Sequence, residues 1–197
     1  MHKAIRIIRD EHRSISAVLS GLKELALAAR KPGVQPEFAV FRAMIHYIDE
    51  FPERLHHPKE DDYLFARLAE RAPEARQLIE ELRAEHVQGA KLVRDLESAL
   101  LAFEVEGARE APAFDAAVNA YAQFHWDHMR KEEALLLPLA EKHLTEGDWR
   151  WIEDAFAGNQ DPIADLRERD FEKLYSRIVG LAPAPVGLGE RWKETPG

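Results

Sequence analysis

Two segments of the chain repeat one pattern of histidine and glutamate that suits metal binding. In each segment a His lies four residues before a Glu and an apolar run follows, as in His56 with Glu60 and His128 with Glu132. Residues four apart lie one turn apart on the same face of a helix. The imidazole and carboxylate of such a pair can bind one metal ion, or each can bind one of two adjacent ions.

Helices must position these pairs, because apolar residues recur every three or four positions over long stretches. The pattern predicts a first helix at about residues 3–30 and a second from about residue 36 to the low 70s. A third helix follows Pro73, and a fourth starts near Pro112. Pro52 and Pro58 fall within the second helix, where they predict a kink or a break. The predicted fold class is therefore all-α.

One polar level interrupts the apolar face of each predicted helix. The first helix contributes His12 and the third His86, while the second and fourth contribute the two His–Glu pairs. An unpartnered polar group in a core costs about 2 kcal/mol or more, so these side chains are expected to satisfy one another around bound metal. In an up-down-up-down four-helix bundle the four levels meet in one layer. The expected metal ligands are His12, His56, Glu60, His86, His128 and Glu132.

Two further histidines leave alternatives open. His125 lies three residues before His128 and is either a ligand itself or a hydrogen-bonding partner of a ligand. His57 could form a pair with Asp61 instead of the pairing above. The match between the two segments favours the first pairing, and His57 is expected at the rim of the site or beside a ligand.

Other polar residues near these positions have simpler interpretations. Asp61, Asp62 and Glu133 are expected on a solvated acidic face. Tyr121, one turn before His125, is expected in the core.

The chain changes character after Leu144. Two shorter helices are predicted, at about residues 148–157 and 166–179, and residues 181–189 have the Pro and Gly content of an extended, turn-rich segment. Few apolar residues remain for a separate core. Residues 1–145 are therefore expected to form the bundle, and residues 146–197 an appendage packed against it.

The composition limits the chemistry. The chain has 197 residues, a net charge of −9 and no cysteine, which excludes thiolate metal sites, iron–sulfur clusters and a Cys nucleophile. Any metal must be bound by nitrogen and oxygen. Mixed charges with an acidic balance argue against nucleic acid or an anionic membrane as the main partner. The charged N-terminal residues lack the features of a secretory signal, so a cytoplasmic location is expected.

With these residues the sequence resembles the hemerythrin-like (HHE cation-binding) family over roughly residues 1–145. Three motifs carry the resemblance in combination: Glu11-His12, His-His-Pro-Lys-Glu at 56–60, and His-x-x-x-Glu-Glu-x-x-Leu-x-Pro from residue 128. The resemblance implies a four-helix bundle with a non-heme di-iron centre bridged by Glu60 and Glu132. It also implies that His12 and His56 bind one iron, and that His86 and His128 bind the other.

The sequence departs from the oxygen-carrying members of that family in two places. Those proteins supply two histidines from the third helix, whereas the positions four residues either side of His86 hold Leu82 and Ala90. Either one iron keeps an open position or His125 fills that position. The sequence favours the open position. On the fourth predicted helix the carboxylate is Glu132, four residues after His128. Oxygen carriers have an Asp five residues after the corresponding His.

The resemblance implies a cytoplasmic di-iron protein that binds O₂, NO or peroxide or handles iron, and that exchanges electrons with a redox partner protein. Two alternatives remain. One is a di-iron oxidase or peroxidase that uses Tyr121, and the other is a helical interaction domain with a purely structural metal. His and carboxylate ligands also suit Mn or Zn, while two bridging carboxylates favour a pair of irons.

Overall fold

Five helices make up the described part of the chain, which forms no β-strand. The computed structural model describes residues 2–157 and, beyond them, positions 180, 182, 183, 186, 188 and 192. Helix α1 is Lys3–Ala29. Helix α2 is a continuous helical stretch over residues 38–71, built from Phe38–Ile48, Asp49–His56, His57–Lys59, Glu60–Phe65 and Ala66–Arg71.

The remaining helices follow after short connections. Helix α3 is Arg76–Glu106, preceded by the 3₁₀ turn Pro73–Ala75. Helix α4 covers residues 111–143 as Ala111–Lys131, Glu132–Leu136 and Leu137–His143. Helix α5 is Glu146–Ala157, and the helix expected at residues 166–179 lies outside the described residues. None of the helices described has an apolar stretch long enough to cross a membrane.

Helices α2 and α4 widen where they carry the His–Glu pairs. Segments Asp49–His56, Glu60–Phe65 and Glu132–Leu136 are π-helical. Pro52 lies inside the first of them and has no N–H for the α-helical hydrogen bond, and a π turn is one way in which a helix accommodates that loss. The chain does not break at Pro52 or Pro58, because α2 continues through both as a locally widened helix.

Two apolar clusters fill the bundle, one on each side of a polar layer. The first cluster includes Ile15, Phe41, Val93 and Phe114. The second includes Ile8, Phe65, Leu82 and Leu136. Helices α1 and α3 pass from the second cluster to the first, and α2 and α4 pass the other way. The polar levels of the four helices therefore fall at one height, held by apolar side chains that each contribute about 1.5–3 kcal/mol on burial.

Three positions beyond residue 157 contact the bundle. Ala182 is buried in the first cluster, and Val186 and Trp192 pack against it. The Trp192 ring centroid lies 5.7 Å from that of Phe41. The arrangement of the whole segment as a packed appendage stays a prediction.

The start of α5 is fixed by a capping interaction. The Thr145 N–H and hydroxyl donate to the Asp148 carboxylate at 2.9 and 2.7 Å, and the Asp148 N–H donates to Thr145 Oγ1 at 3.2 Å. The Arg71 guanidinium donates to the same carboxylate at 2.9 and 3.1 Å. Burial opposes the charge, but the Arg71 and Thr145 contacts lower the pKa of Asp148 to about 2.

We expect Asp148→Asn to lower the free energy of unfolding by about 1 kcal/mol at pH 7. Because the folded pKa is depressed, the carboxylate stabilises fully above its unfolded pKa of about 3.9 and loses this effect as the pH falls through about 2. Denaturant unfolding of both proteins at pH 7 and near pH 3 measures the effect. The difference between them should shrink at the lower pH, and a constant difference would argue against the charged contact.

Candidate metal centre

The six side chains expected as ligands meet in the polar layer between the two apolar clusters. All six are buried, and none is more than 6% exposed. They form two overlapping groups in which all donor atoms lie within 4.8 Å of one another. The groups are His12, His56, Glu60 and Glu132, and Glu60, His86, His128 and Glu132. The two carboxylates belong to both groups, while the ligand roles themselves stay predictions.

Histidine Nε2 atoms approach one another within each group. Those of His12 and His56 are 3.1 Å apart, and those of His86 and His128 are also 3.1 Å apart. Glu60 lies between the two histidine pairs. Its Oε1 is 3.5 Å from His56 Nε2, and its Oε2 is 3.7 Å from His86 Nε2.

Glu132 spans the same gap from α4. Its Oε2 is 3.3 Å from His12 Nε2, and its Oε1 is 3.3 Å from His128 Nε2. Each carboxylate therefore turns one oxygen to each histidine pair. This is the arrangement expected of a ligand shared by two cations.

The four oxygens of Glu60 and Glu132 need a partner that the described protein atoms do not supply. All four are buried and accept no hydrogen bond from the described residues. Burial and the charge of Glu132 raise the pKa of Glu60 well above its ordinary value. Burial also opposes the charge on Glu132, but His128 and His12 hold its pKa well below the ordinary value. Buried carboxylates are costly without a counter-ion, so bound cations fit this donor set.

Neighbouring carboxylates favour the protonated form of two histidines in the polar layer. Burial disfavours the charged His128 ring, but Glu132 and Glu85 raise its pKa to about 9. Burial likewise opposes the charge on His12, and Glu132 and Glu133 raise its pKa. Metal binding near neutral pH must therefore displace a proton from the His128 ring.

A carboxylate lies on the outer side of each of the four histidines. The Nδ1–oxygen distances are 2.9 Å for His12–Glu133, 2.8 Å for His56–Glu11, 3.1 Å for His86–Asp61 and 3.0 Å for His128–Glu85. Three of these contacts are hydrogen bonds, whereas His86 and Asp61 form only an ion-pair contact. An ionised carboxylate only accepts hydrogen bonds, so in the three hydrogen-bonded rings, when neutral, Nδ1 carries the proton and Nε2 presents its lone pair to the centre. Such outer partners fix the orientation of a metal-binding histidine and raise its basicity.

The sequence interpretation missed these outer partners. Asp61 and Glu133 were expected on a solvated acidic face. In the structure each of them contacts a histidine of the centre. Glu11 was named only as part of the Glu11-His12 motif, without a role in the site, and Glu85 was not singled out. Adjacency could have identified all four, since each is the sequence neighbour of an expected ligand. Neighbouring residues on a helix point about 100° apart, so such a carboxylate faces a ligand on another helix.

We expect Glu85→Gln to weaken metal binding by about 10- to 100-fold, because an amide is a weaker acceptor for the His128 Nδ1–H. Competition with a chelator of known affinity measures the loss. Glu81→Gln is the matched control, because Glu81 lies one turn before Glu85 on α3. Both carboxylates accept a hydrogen bond from the Lys131 ammonium group. Equal losses in both variants would mean that surface charge, and not the contact with His128, determines the affinity.

His57 was expected at the rim of the site or beside a ligand, and the structure buries it beside His86. It is 4% exposed, because rings from α3 and α4 pack around it. Its ring stacks on His86 at a centroid distance of 4.1 Å and on His125 at 5.7 Å. Together with His86 and His128 it forms a third group of donor atoms within 4.8 Å of one another.

His125 is buried, but it belongs to none of these three groups. Its Nε2 lies 3.2 Å from Glu53 Oε1, which also accepts a hydrogen bond from the Tyr121 hydroxyl at 2.9 Å. Three residues correspond to a rotation of about 60° from His128 on a helix, which turns the ring toward Glu53. The structure thus gives His125 a contact with Glu53, and its role as a metal ligand stays a prediction. Tyr121 lies in the core, as expected.

A surface groove lies between α1 and α4, and the His12–Glu133 contact forms part of its wall. Its volume is about 710 Å³, and its lining includes His12, Trp126, Met129 and Glu133. A small molecule in this groove therefore reaches the outer side of the His12–Glu133 contact.

Comparison with known proteins agrees with this geometry. The family described as Hemerythrin HHE cation binding domain matches residues 3–140, a range that contains every residue of the polar layer. A search of curated proteins found no match.

Proposed function

The chain belongs to the hemerythrin HHE cation-binding family, and we propose that it binds two metal ions in the polar layer of its helical bundle. The observation that carries this proposal is the pair of buried carboxylates, whose oxygens accept no hydrogen bond from the residues that the structure describes and face two histidine pairs. His12 and His56 hold one ion and His86 and His128 the other, with Glu60 and Glu132 shared. The alternating directions of α1 to α4 between the two apolar clusters support an up-down-up-down four-helix topology.

The proposed metal is iron. Imidazole and carboxylate also suit Mn and Zn, but a carboxylate-bridged pair of ions inside a helical bundle is typical of di-iron proteins. Two irons supply redox-active positions for a small ligand such as O₂, NO or peroxide. The groove beside His12 supports access of such a ligand. A cytoplasmic location and a redox partner protein complete this proposal.

An oxidase or peroxidase is a second candidate, and one set of contacts favours it. The Tyr121 hydroxyl donates to Glu53 at 2.9 Å, and Glu53 Oε2 lies 3.3 Å from His57 Nδ1. Polar groups thus connect a tyrosine with the centre. Turnover of peroxide by the iron-loaded protein, lost in Tyr121→Phe, would favour the enzyme.

Metal content and an absorption spectrum test the proposed function. Protein expressed with added iron should contain about two irons per chain, and azide should change its absorption spectrum. A single zinc per chain with no uptake of iron would contradict the di-iron centre. Two irons without any response to azide or NO would contradict the small-ligand function alone.

A further inference from the structure

We propose that the groove between α1 and α4 binds a small aromatic anion, a planar ring that carries a carboxylate, sulfonate or phosphate group. The groove lies beside the metal centre but has walls and charges of its own. Binding in it therefore does not require the two metal ions.

The groove has the size and the place of a small-molecule site. Its volume of about 710 Å³ falls within the range of roughly 300–1,000 Å³ for ligand pockets, which often lie between the helices of bundles. Small side chains of α1 line one wall, namely Ser16, Ala17 and Ser20. The larger side chains of Trp126 and Met129 line the other wall, from α4.

Two contacts give the order of the residues along the groove. His12 Nδ1 lies 2.9 Å from Glu133 Oε1, and the Lys23 ammonium group lies 4.8 Å from the centroid of the Trp126 ring. Because α1 and α4 run in opposite directions, the first contact marks one end of the groove and the second lies toward the other. The α1 wall from His12 to Ser20 is about 12 Å long, so it can accommodate a ring and its acid group in line.

The end of the groove farther from the metal centre is aromatic and apolar. Trp126 is half-buried and packs against the first apolar cluster. Met129 lies one turn nearer to the centre and is 6% exposed. Indole rings and thioether sulfurs both make favourable contacts with an aromatic ring, so this end suits the ring of the ligand.

The end nearer to the metal centre carries two arginines, one on each wall. Arg13 lines the groove from α1 and Arg130 from α4. Each guanidinium contacts, through Nη2, an aspartate three residues earlier, Asp10 or Asp127, and neither aspartate lines the groove. Exposed ion pairs of this kind contribute little, and a guanidinium has five N–H donors. Both arginines can therefore also donate to an acid group between the walls.

The acidic residue of the groove wall is held by other partners. Glu133 Oε1 contacts His12 Nδ1, and Glu133 Oε2 lies 3.9 Å from Arg9 Nε. Its charge is thus balanced by these groups. Arg13 and Arg130 then give the groove its preference for an anion, because guanidinium groups bind carboxylate and phosphate oxygens with good geometry.

Calorimetric titration of the iron-loaded full chain tests the site with two matched probes. Naphthoate is an aromatic anion, and naphthylmethanol is a neutral analogue of similar shape. We expect naphthoate to bind at least about tenfold more tightly, because hydrogen bonds to a charged acceptor are stronger. The same affinity is expected after the metal is removed with a chelator, which distinguishes the groove from carboxylate binding at a metal.

Replacing both arginines separates the preference for an anion from the apolar contact. The double variant Arg13→Gln with Arg130→Gln should bind naphthoate at least about tenfold more weakly than the wild type and no better than naphthylmethanol. The control is Arg54→Gln with Arg109→Gln, which removes the same charge from two other exposed ion pairs. It should keep the affinity for naphthoate within about twofold of the wild type.

A tryptophan variant tests the aromatic end. Trp126→Leu should weaken both probes by about tenfold, because the ring contact is lost. Trp151→Leu is the matched control, since Trp151 is 40% exposed and also has an arginine over its ring, with Arg67 at 4.7 Å and Tyr63 at 4.9 Å. It should leave both affinities unchanged.

An anion preference that disappears in the Arg13 and Arg130 variant, and not in its control, would support the site. Equal affinity of the wild type for the two probes, or no detectable binding of naphthoate, would overturn it. Binding that is lost with the metal would place naphthoate at the metal centre and also overturn it. Equal losses in Trp126→Leu and Trp151→Leu would show that the ring binds elsewhere.

Discussion

Glu60→Gln is expected to remove both metal ions at once. The two oxygens of Glu60 face different histidine pairs, at 3.5 Å from His56 Nε2 and 3.7 Å from His86 Nε2. An amide keeps one acceptor oxygen and no negative charge, so it cannot bridge two cations. We expect the affinity at both positions to fall at least about 100-fold, beyond the effect of losing an outer partner. The measurement is metal per chain after dialysis against a chelator.

The control is Asp62→Asn, which removes the same charge from an exposed neighbour and should keep both ions. His56→Ala should mainly weaken one ion, because His56 belongs to one of the two bridged groups. The metal-free Glu60→Gln protein should fold at least as stably as the wild type, since burial beside Glu132 already favours the neutral acid. Full retention of both ions in Glu60→Gln would exclude the bridging role.

Removing the metal from the wild type is expected to lower its melting temperature by about 10 °C. A ligand at 1,000 times its dissociation constant adds about 4 kcal/mol to the free energy of unfolding. For a chain of this size, each kcal/mol corresponds to roughly 2–4 °C. Removing the metal also leaves the buried oxygens of Glu60 and Glu132 without a hydrogen-bond partner among the described residues, which is costly in a protein core. Calorimetry of the loaded and chelator-treated protein measures the difference.

Glu60→Gln is again the matched control for this experiment. Because it should bind little metal, its melting temperature should be the same with and without added iron. A similar shift in the variant would mean that iron stabilises the protein elsewhere. Superimposable curves for the loaded and metal-free wild type would place the metal outside the core.

Much of the fold was predictable because helix periodicity and the metal motif agree. The apolar spacing predicted α1 to α4 within a few residues, and the all-α prediction is confirmed over the described residues. The resemblance to the HHE cation-binding family is also confirmed. His–Glu pairs at i and i+4 define a face of a helix locally, so His56 with Glu60 and His128 with Glu132 could be found without knowledge of tertiary structure.

The outer part of the centre could not be predicted in the same way. The partner of His128 is Glu85 on another helix, and such pairs depend on helix rotation that spacing within one helix does not determine. His57 was expected at the rim or beside a ligand because its neighbour fitted the repeat better, and only the packing of α3 and α4 shows that it is buried against His86. His125 faces Glu53, a residue that no motif identified.

The metal–metal distance in the iron-loaded protein tests the central claim most directly. Anomalous diffraction from crystals at the iron absorption edge locates each ion independently of the protein atoms. We expect two peaks about 3.5–4 Å apart, one beside His12 and His56 and one beside His86 and His128, with the carboxylates of Glu60 and Glu132 at both. A single peak in the polar layer, or two peaks that share neither carboxylate, would contradict it.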